Sequence, residues 1–524
     1  MSSHSERVQR VIDAVKNRPA DKKLSIRKAT PSHQLHNLTW KERCHRVDVS
    51  DLTNILGFEQ GFDRSGTETM IAHCEGLVTM LELVRAAMPL GWIPQVVPEH
   101  SDFTVAGLIN GEGIQSSCFR YGIFTHTVTE MTVVLGNGDL VTCTPTNEHS
   151  ELFRFMVESY GTMGIVVAAK VALRPVLPFV RTHYTVHTTL SDFVAEFEPM
   201  VRSRRGDFLE GIVFSSTCFV IIHSTFCSTQ EGYPLYDPVP FDCERGERYY
   251  YQYIKQVVLQ NGNTLSRPID VIPTESFVFR SERGLYWMLE SYIDLPLLTN
   301  RSWFRSHADK KVIETRRKKG FESSGRLSPE EIQRCLVQQD MGIMLKRLKE
   351  GIAWVQKNLG VYPLWICPVW GKLTLKNDPE FLKLQPEAKK CLDDEFLCDI
   401  GIYGEPTVRP FFHRKIVRAL QEFVDAPSMW GVCYKSKEEI RAAWNPIREK
   451  YHAIDAFPGV EEKTTFKGTD DNMDEREIPY WRLVNEYGWY WWIKLPVVIT
   501  AVMSTIGWAM WSTACFVYAA VSAQ

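Results

Sequence analysis

The chain has 524 residues, 44% of them hydrophobic and 12% aromatic, with 60 Lys+Arg against 63 Asp+Glu. That size and apolar content support a large core in more than one domain and exclude a mainly disordered protein. A formal net charge of −3 offers no basic face for nucleic acid, and 13 cysteines without a Cys-x-x-Cys pair exclude a paired zinc site or disulfide framework and point to a reducing compartment.

Residues 1–18 are polar and lack the apolar run of a secretory signal. Within them Val8, Val11, Ile12 and Val15 follow the i, i+3, i+4, i+7 spacing of an amphipathic helix over 6–17, which Pro19 ends. From 24 to 173 short β-rich runs are separated by Gly and Asn. The runs 131–135 and 140–143 flank Gly136-Asn137-Gly138-Asp139 and predict a β-hairpin. Helical periodicity returns at 76–87 and 152–157. Beyond Pro175 and Pro178 the pattern predicts a strand at 181–188, a helix at 190–202 and two strands within 208–224.

Residues 301–326 are basic, with Lys310, Lys311, Arg316, Arg317, Lys318 and Lys319 close together. The cluster reads as a solvated face, or as a contact for anionic lipid headgroups. An acidic linker follows at 459–480, then an interfacial segment at 481–494 containing Trp489, Tyr490, Trp491 and Trp492. No charged side chain appears after Lys494, and 495–521 is long enough for the ~20 apolar residues of a membrane span. A buried C-terminal helix is the alternative. Arg482 and Lys494 on the upstream side predict that the bulk of the chain faces the cytosol.

The segment with the strongest chemical character is PEHSDFTVAGLINGEGIQSSCFRYG at 98–122. Its glycines, bracketed by Thr104, Asn110, Ser116 and Ser117, let a backbone approach a ligand and present N–H groups to an anion. It matches neither the Rossmann fingerprint nor the P-loop. Composition alone leaves a tight structural turn and a phosphate cradle equally open.

This run resembles the second flavin-contacting segment of the vanillyl-alcohol oxidase / p-cresol methylhydroxylase (PCMH) type of FAD-binding fold. More narrowly, the chain is similar to the delta-24-sterol reductase family. GTMGIVVAA at 161–169 resembles that family's later flavin-binding run; VYPLWICP at 361–368, DIGIYGEP at 399–406 and DAFP at 455–458 extend the likeness over roughly 5–465. Two departures stand out. Animal members carry a membrane segment at the N-terminus, whereas here the apolar run is C-terminal. The first pyrophosphate loop, RKATPSHQ at 27–34, lacks the superfamily's usual glycines.

The resemblance implies an α+β fold: a two-lobed PCMH-type FAD-binding domain at 1–178, a substrate-binding or cap domain at 179–458, and one C-terminal transmembrane helix. It places FAD, held without a covalent bond, at Ser32, His33, Thr104, Val105, Ala106, Gly107, Gly111, Gly113, Ile114, Ser116, Ser117, Gly161, Thr162, Gly164 and Ile165. It implies NADPH-driven reduction of the delta-24 double bond of a membrane sterol, from a desmosterol-like to a cholesterol-like product, at the endoplasmic reticulum. The chain shows no second dinucleotide fingerprint for NADPH. Since an isolated alkene needs an acid as well as a hydride, Tyr403, Glu405 and Tyr121 are the candidate catalytic residues; Glu405 as a structural residue beside a Gly-Pro turn is the competing reading. His126 follows the glycine run and is the remaining side chain placed near the flavin, and Tyr286, Trp287, Trp303 and Phe304 are candidates for an apolar entrance. An alcohol or lactone oxidase or dehydrogenase of the same fold, and an inactive membrane scaffold, are the rival functions.

Overall fold

A computed structural model describes residues 2–28, 41, 43–230, 232–242, 244–260, 264–265, 267–284, 286–288, 301–309, 337–371, 395–408, 413–427 and 437–459. Ser32, His33, the cluster from Lys310 to Lys319, the linker from 460 onward and the apolar run 495–521 lie outside these residues. Among the described residues no helix is long and apolar enough to cross a membrane.

The N-terminal helix His4–Lys16 forms as its periodicity predicts, with Ser3 and Glu6 closing a capping box. Its Val8, Val11, Ile12 and Val15 pack on the parallel pair β1 (Leu24–Arg27) and β2 (His45–Asp48). The helix is also pinned by charge: the buried Glu75 carboxylate accepts from Arg7 Nε at 2.9 Å and from the Asn54 N–H at 2.8 Å.

The first large sheet runs in the order β3 (Ile55–Phe62), β4 (Glu68–Glu75), β8 (Ile165–Pro175), β6 (Val128–Val134), β7 (Leu140–Cys143), with β5 (Trp92–Pro94) pairing β8. The β6–β7 hairpin pairs Met131 with Cys143 and Val134 with Leu140, and Gly138 takes the left-handed conformation its turn requires (φ 84°). The helix Met80–Ala87 starts at Thr79, whose side chain caps Glu82 in a second capping box.

The second sheet has eight antiparallel strands. Its members are β9 (Phe179–His187), β10 (Phe208–Ser215), β11 (Cys218–Cys227), β14 (Ile269–Pro273), β15 (Val337–Met344), β16 (Leu364–Trp370), β17 (Phe396–Gly404) and β18 (Ala426–Pro427). Their order is β14-β9-β11-β10-β16-β17-β15-β18, with a small hairpin of β12 (Leu259–Gln260) and β13 (Thr264–Leu265) beside it. One face is apolar: Leu209, Val213, Ile366, Ile400 and Ile402 pack under helices Leu190–Ser203 and Leu348–Asn358. Phe193 and Phe197 stack there at 5.2 Å, and each fully buried Phe contributes about 1.5–3 kcal/mol. The opposite face meets the first sheet in a shared core containing Phe208, Ile212, Trp365, Cys367 and Tyr403.

The chain then returns to the first sheet. Within helix Lys437–Lys450 Trp444 lies edge-on to Phe155 at 5.8 Å, and beyond the helix the Ala456 carbonyl accepts from Leu24 N–H at 2.6 Å. Residues near 450 therefore complete the N-terminal lobe, although they follow the second sheet in sequence.

Candidate functional site: a glycine-walled cleft beside a carboxyl-rich sheet face

One cleft is walled by β1 and Lys28, by Lys41, Val49 and Leu52, by residues 103–112 except Val105 and Ile109, by Tyr160–Gly161 and 164–166, and by Phe457. The glycine segment enters it through the short helix Val105–Asn110. Thr104 Oγ1 accepts from Gly107 N–H at 3.2 Å, and Ala106 N–H donates to the Gly76 carbonyl at 2.8 Å. Gly76 must be glycine: a Cβ there would lie 2.4 Å from the Val166 carbonyl oxygen. Asn110 joins the two glycine runs. Its Oδ1 accepts from Gly161 N–H at 3.2 Å and Ser159 Oγ at 2.9 Å, and its carbonyl accepts from Tyr160 N–H at 2.8 Å. Tyr160 and Gly161 both take positive φ (51° and 70°), which turns this backbone along the cleft wall.

Of the residues predicted to hold a cofactor, Thr104, Ala106, Gly107, Gly111, Gly161, Gly164 and Ile165 line the cleft. Val105, Ile114, Thr162 and Gly113 support it from behind. A Cβ on Gly113 would meet Pro98 at 2.8 Å and Leu108 at 2.9 Å, so this glycine serves packing rather than open approach. Ser116 and Ser117 are spent elsewhere. Ser117 Oγ donates to the Gln95 carbonyl at 3.0 Å, while Ser116 Oγ donates to Gln115 Oε1 at 2.9 Å and its carbonyl accepts from Leu209 of β10 at 2.8 Å.

Lys28 and Lys41 share the cleft, and burial foremost, then the Lys41 charge, lowers the Lys28 ammonium to about 8. Two cations brought together in a partly buried groove, beside close-approach backbone, suit a dianionic diphosphate. The residues present thus fit a flavin dinucleotide.

Beyond the cleft stands the inner face of the second sheet. The register Gln338↔Tyr403, Asp340↔Gly401, Gly342↔Asp399 and Cys367↔Asp399 puts Asp340, Asp399 and Tyr403 on one face, alternating with apolar Ile400 and Ile402 on the other. The Tyr403 hydroxyl donates to Asp340 Oδ1. It does so across Gly401, where a Cβ would lie 2.8 Å from the hydroxyl oxygen. Tyr403 also accepts Trp287 Nε1–H on its carbonyl at 2.9 Å, and its ring is 5.9 Å from that of Tyr286. Burial is the main cause raising Asp340 to about 7, with the Tyr403 hydrogen bond opposing and the Glu112 charge adding. Burial likewise raises Glu99 to about 7, and it raises Asp399 well above the carboxylate range, reinforced by Asp340, Glu112 and Glu99.

The other candidate catalytic residues lie apart. Glu405 follows β17, half-buried. Tyr121 is half-buried, with the guanidinium carbons of Arg174 and Arg120 each 5.4 Å from its ring. His126 is sealed against Gly122, and its Nδ1 accepts from Ile123 N–H at 3.1 Å; burial lowers it well below the usual histidine value. Tyr286, Trp287 and Phe304 are buried, while Trp303 is 56% exposed.

Sequence reasoning missed Lys41, Glu99, Asp340 and Asp399. For the two aspartates a signal existed: 338, 340 and 342 in one strand and 399, 401 and 403 in the other are polar or glycine, with Met341, Ile343, Ile400 and Ile402 between them, although Gln339 interrupts the alternation.

The lobes are joined at this site through Arg280, which forms a buried ion pair within the second lobe and a hydrogen bond to Ser116 of the first. Arg280 Nη2 lies 2.5 Å from Glu210 Oε1 and also donates to Ser116 Oγ at 3.1 Å, while Glu210 Oε2 accepts from Trp365 Nε1–H at 2.8 Å.

Comparison with known proteins agrees with this geometry. An FAD binding domain family model matches residues 5–144. The human Delta(24)-sterol reductase is 30% identical over 434 residues, covering 80% of this chain and 78% of that protein. The Arabidopsis thaliana Delta(24)-sterol reductase is 28% identical over 515 residues, 92% of this chain and 88% of the relative. Rice Cytokinin dehydrogenase 9 is 26% identical over only 146 residues, 28% of this chain and 26% of its own length. The protein is an FAD-dependent oxidoreductase, and the chain belongs to the Delta(24)-sterol reductase family.

Proposed function

We propose that this protein reduces the delta-24 side-chain double bond of a sterol, with NADPH as the source of electrons. The observation that carries this reading is the extent of the likeness. At 434 residues it must include the second sheet with its carboxyl face, whereas the match to the cytokinin dehydrogenase stops at 146 residues.

Lys28 and Lys41 would hold the diphosphate of FAD, with the backbone of Gly107, Gly111 and Gly161 alongside. When bound, FAD supplies the hydride and is replenished by NADPH. The chain's own task is to orient the sterol side chain, exclude water and deliver a proton. Tyr403 is the foremost candidate donor, being the hydroxyl that reaches a carboxyl group on the inner face. We place the cofactor lobe at 1–178 and the substrate lobe from 179 onward, with the residues around 450 rejoining the first. We also assign 495–521 as a membrane anchor, at the endoplasmic reticulum, which would confine the site near a bilayer-dissolved substrate. Deleting 491–524 should then release protein that keeps its flavin; continued pelleting with membranes after a high-salt wash would refute a sole C-terminal anchor.

The purified protein should show flavin absorption near ~450 nm that bleaches with NADPH under anaerobic conditions and returns when a delta-24 sterol is added. The cytokinin dehydrogenase likeness favours one second reading, an oxidase or dehydrogenase of the same fold. A flavin that ignores NADPH but is bleached by an alcohol or amine would select it.

A further inference from the structure

We propose that Asp340 is a positioning residue that works through Tyr403 as a proton relay: it frees and then refills the tyrosine hydroxyl that protonates the alkene. The inference rests on the sterol-reductase reading above and names the acid that reading requires.

Geometry supplies the first support. Tyr403 and Asp340 stand on neighbouring strands, diagonal to one another across Gly401, and the absence of a side chain at Gly401 is what lets the tyrosine ring lie over the strand toward the carboxyl group. Asp399, on the same face, is 6% exposed, and its Oδ2 has no hydrogen-bond partner among the described residues. A buried, unpartnered carboxylate oxygen is costly when ionised, so a carboxyl group held here is stable chiefly with a proton on it. Glu112 lines the cofactor cleft, and its charge acts on both aspartates. Among the described residues no group of acidic, histidine or cysteine side chains is arranged to hold a metal ion.

The titratable groups around Asp340 are Tyr403 and Asp399 from β17, Glu99 and Glu112 from either side of helix Val105–Asn110, and Tyr286 beside Tyr403. At the far end of β15, Asp425 is paired with Arg347 at 2.6 Å. Asp340, Asp399 and Glu99 are each enclosed and repel one another, so the cluster retains protons. With Asp340 ionised, the tyrosine hydrogen is tied to it. With Asp340 protonated, the hydrogen bond reverses: Asp340 O–H donates to Tyr403 Oη, and the tyrosine hydrogen is released toward substrate.

The step balances as follows. The alkene π pair forms a C–H bond with the tyrosine proton as the O–H bond breaks. The Asp340 proton passes to the tyrosine oxygen, leaving Asp340 as carboxylate. FAD, when bound, would supply the hydride and its two electrons to the cation at the more substituted carbon. Asp340 regains its proton from solvent.

The test uses the full-length holoprotein in detergent, following flavin absorbance in each half-reaction separately. Wild type should be reduced by NADPH and reoxidised by a delta-24 sterol, with the reoxidation rate falling as pH rises through about 7, because the acid must be protonated. Asp340→Asn and Tyr403→Phe should bind FAD and bleach with NADPH normally, yet reoxidise roughly 10²-fold or more slowly, the usual scale for a general acid. Asp340→Asn should also lose the pH limb, and Asp340→Glu should restore part of it at a shifted midpoint. A folded, flavin-replete Asp340→Asn protein with the wild-type rate and pH limb overturns the relay while leaving the reaction standing. Should Asp340→Asn lose its flavin, the wild-type profile and Tyr403→Phe decide: no limb near 7 together with an unslowed Tyr403→Phe overturns the relay. A wild-type flavin that delta-24 sterols never reoxidise overturns the reaction, and the relay with it.

Discussion

The buried Arg280–Glu210 pair lies within the second lobe and is tied to the first by the Arg280–Ser116 hydrogen bond, and its removal should be felt unequally according to which partner goes. Both side chains are almost fully enclosed, with relative exposures of 2% and 5%. Burial alone would lower the Arg280 guanidinium, but the adjacent Glu210 charge raises it overall. Glu210→Ala removes the countercharge, opens a gap under Trp365 Nε1 and leaves the guanidinium in the core. Breaking a buried pair in this way costs about 3–5 kcal/mol. If the 524 residues unfold as one unit, an entropy near 2.1 cal/mol/K per residue amounts to about 1.1 kcal/mol/K, so the midpoint should fall by about 3–5 °C. The double variant Arg280→Met/Glu210→Ala removes the stranded charge and should recover at least about 1 kcal/mol of that loss. Thermal unfolding followed by flavin fluorescence and by circular dichroism measures the full cycle of wild type, both single variants and the double. Additivity within about 0.5 kcal/mol would show that the pair is not coupled, and the account of the joint would have to be abandoned.

The cofactor cleft gives two further expectations. Lys28→Ala or Lys41→Ala should weaken FAD binding by about tenfold, or ~1.4 kcal/mol, with the loss shrinking as salt is raised. Because Lys28 is lowered to about 8, its charge is present below that pH and lost above it; FAD affinity should decline as pH rises through about 8, and Lys28→Ala should remove that decline in a fluorescence titration. Asn110→Ala should cost about 0.5–1.5 kcal/mol by removing the Oδ1 that accepts from Gly161 N–H and Ser159 Oγ, seen as weaker FAD binding and a lower melting midpoint. At Glu75 burial raises the carboxyl, but the hydrogen bonds from His4, Asn54 and Arg7 outweigh it and the net shift is downward. Its stabilisation is therefore fully present above the unfolded value of about 4.5 and lost as pH falls through the folded value. Glu75→Gln should flatten the acid limb of a stability–pH curve, and an unchanged limb would exclude this carboxylate as its source.

How much of this was legible in the sequence varies with what each residue does. The helix His4–Lys16 and the β6–β7 hairpin follow their periodicity because local packing and turn chemistry decide them. The glycine run pointed correctly to the cleft, yet Ser116, Ser117 and Gly113 are occupied with structure. A small polar residue beside glycine suits a ligand or a neighbouring strand equally well, and only the position of Leu209 and Gln95 separates the two. Asp340 and Asp399 were passed over for a different reason. Their strands lie more than fifty residues apart, and nothing in either segment tells that the two polar faces coincide. Lys41 and Phe457 reach the cleft from opposite ends of the described chain, a juxtaposition that tertiary structure alone creates.

The division of labour between the lobes also bears on reduction versus oxidation. The first lobe offers cations and open backbone to a dinucleotide; the second offers Asp340, raised to about 7, and Asp399, raised well above the carboxylate range, while Glu99 of the first lobe is likewise raised to about 7. An alcohol dehydrogenase of this fold needs a base that is empty of protons at working pH, which calls for a carboxylate or histidine stabilised in that state. Here the inner face does the reverse. Enclosure and mutual repulsion keep protons on it, and Asp399 has no cation beside it to draw its proton away among the described residues. A face stocked with protons, set against a cleft that fits a hydride-donating cofactor, is chemically suited to saturating an unpolarised double bond. On the proposed reading proton and hydride come from different lobes, so the Arg280–Ser116 contact that ties the lobes together should matter to the rate as well as to stability.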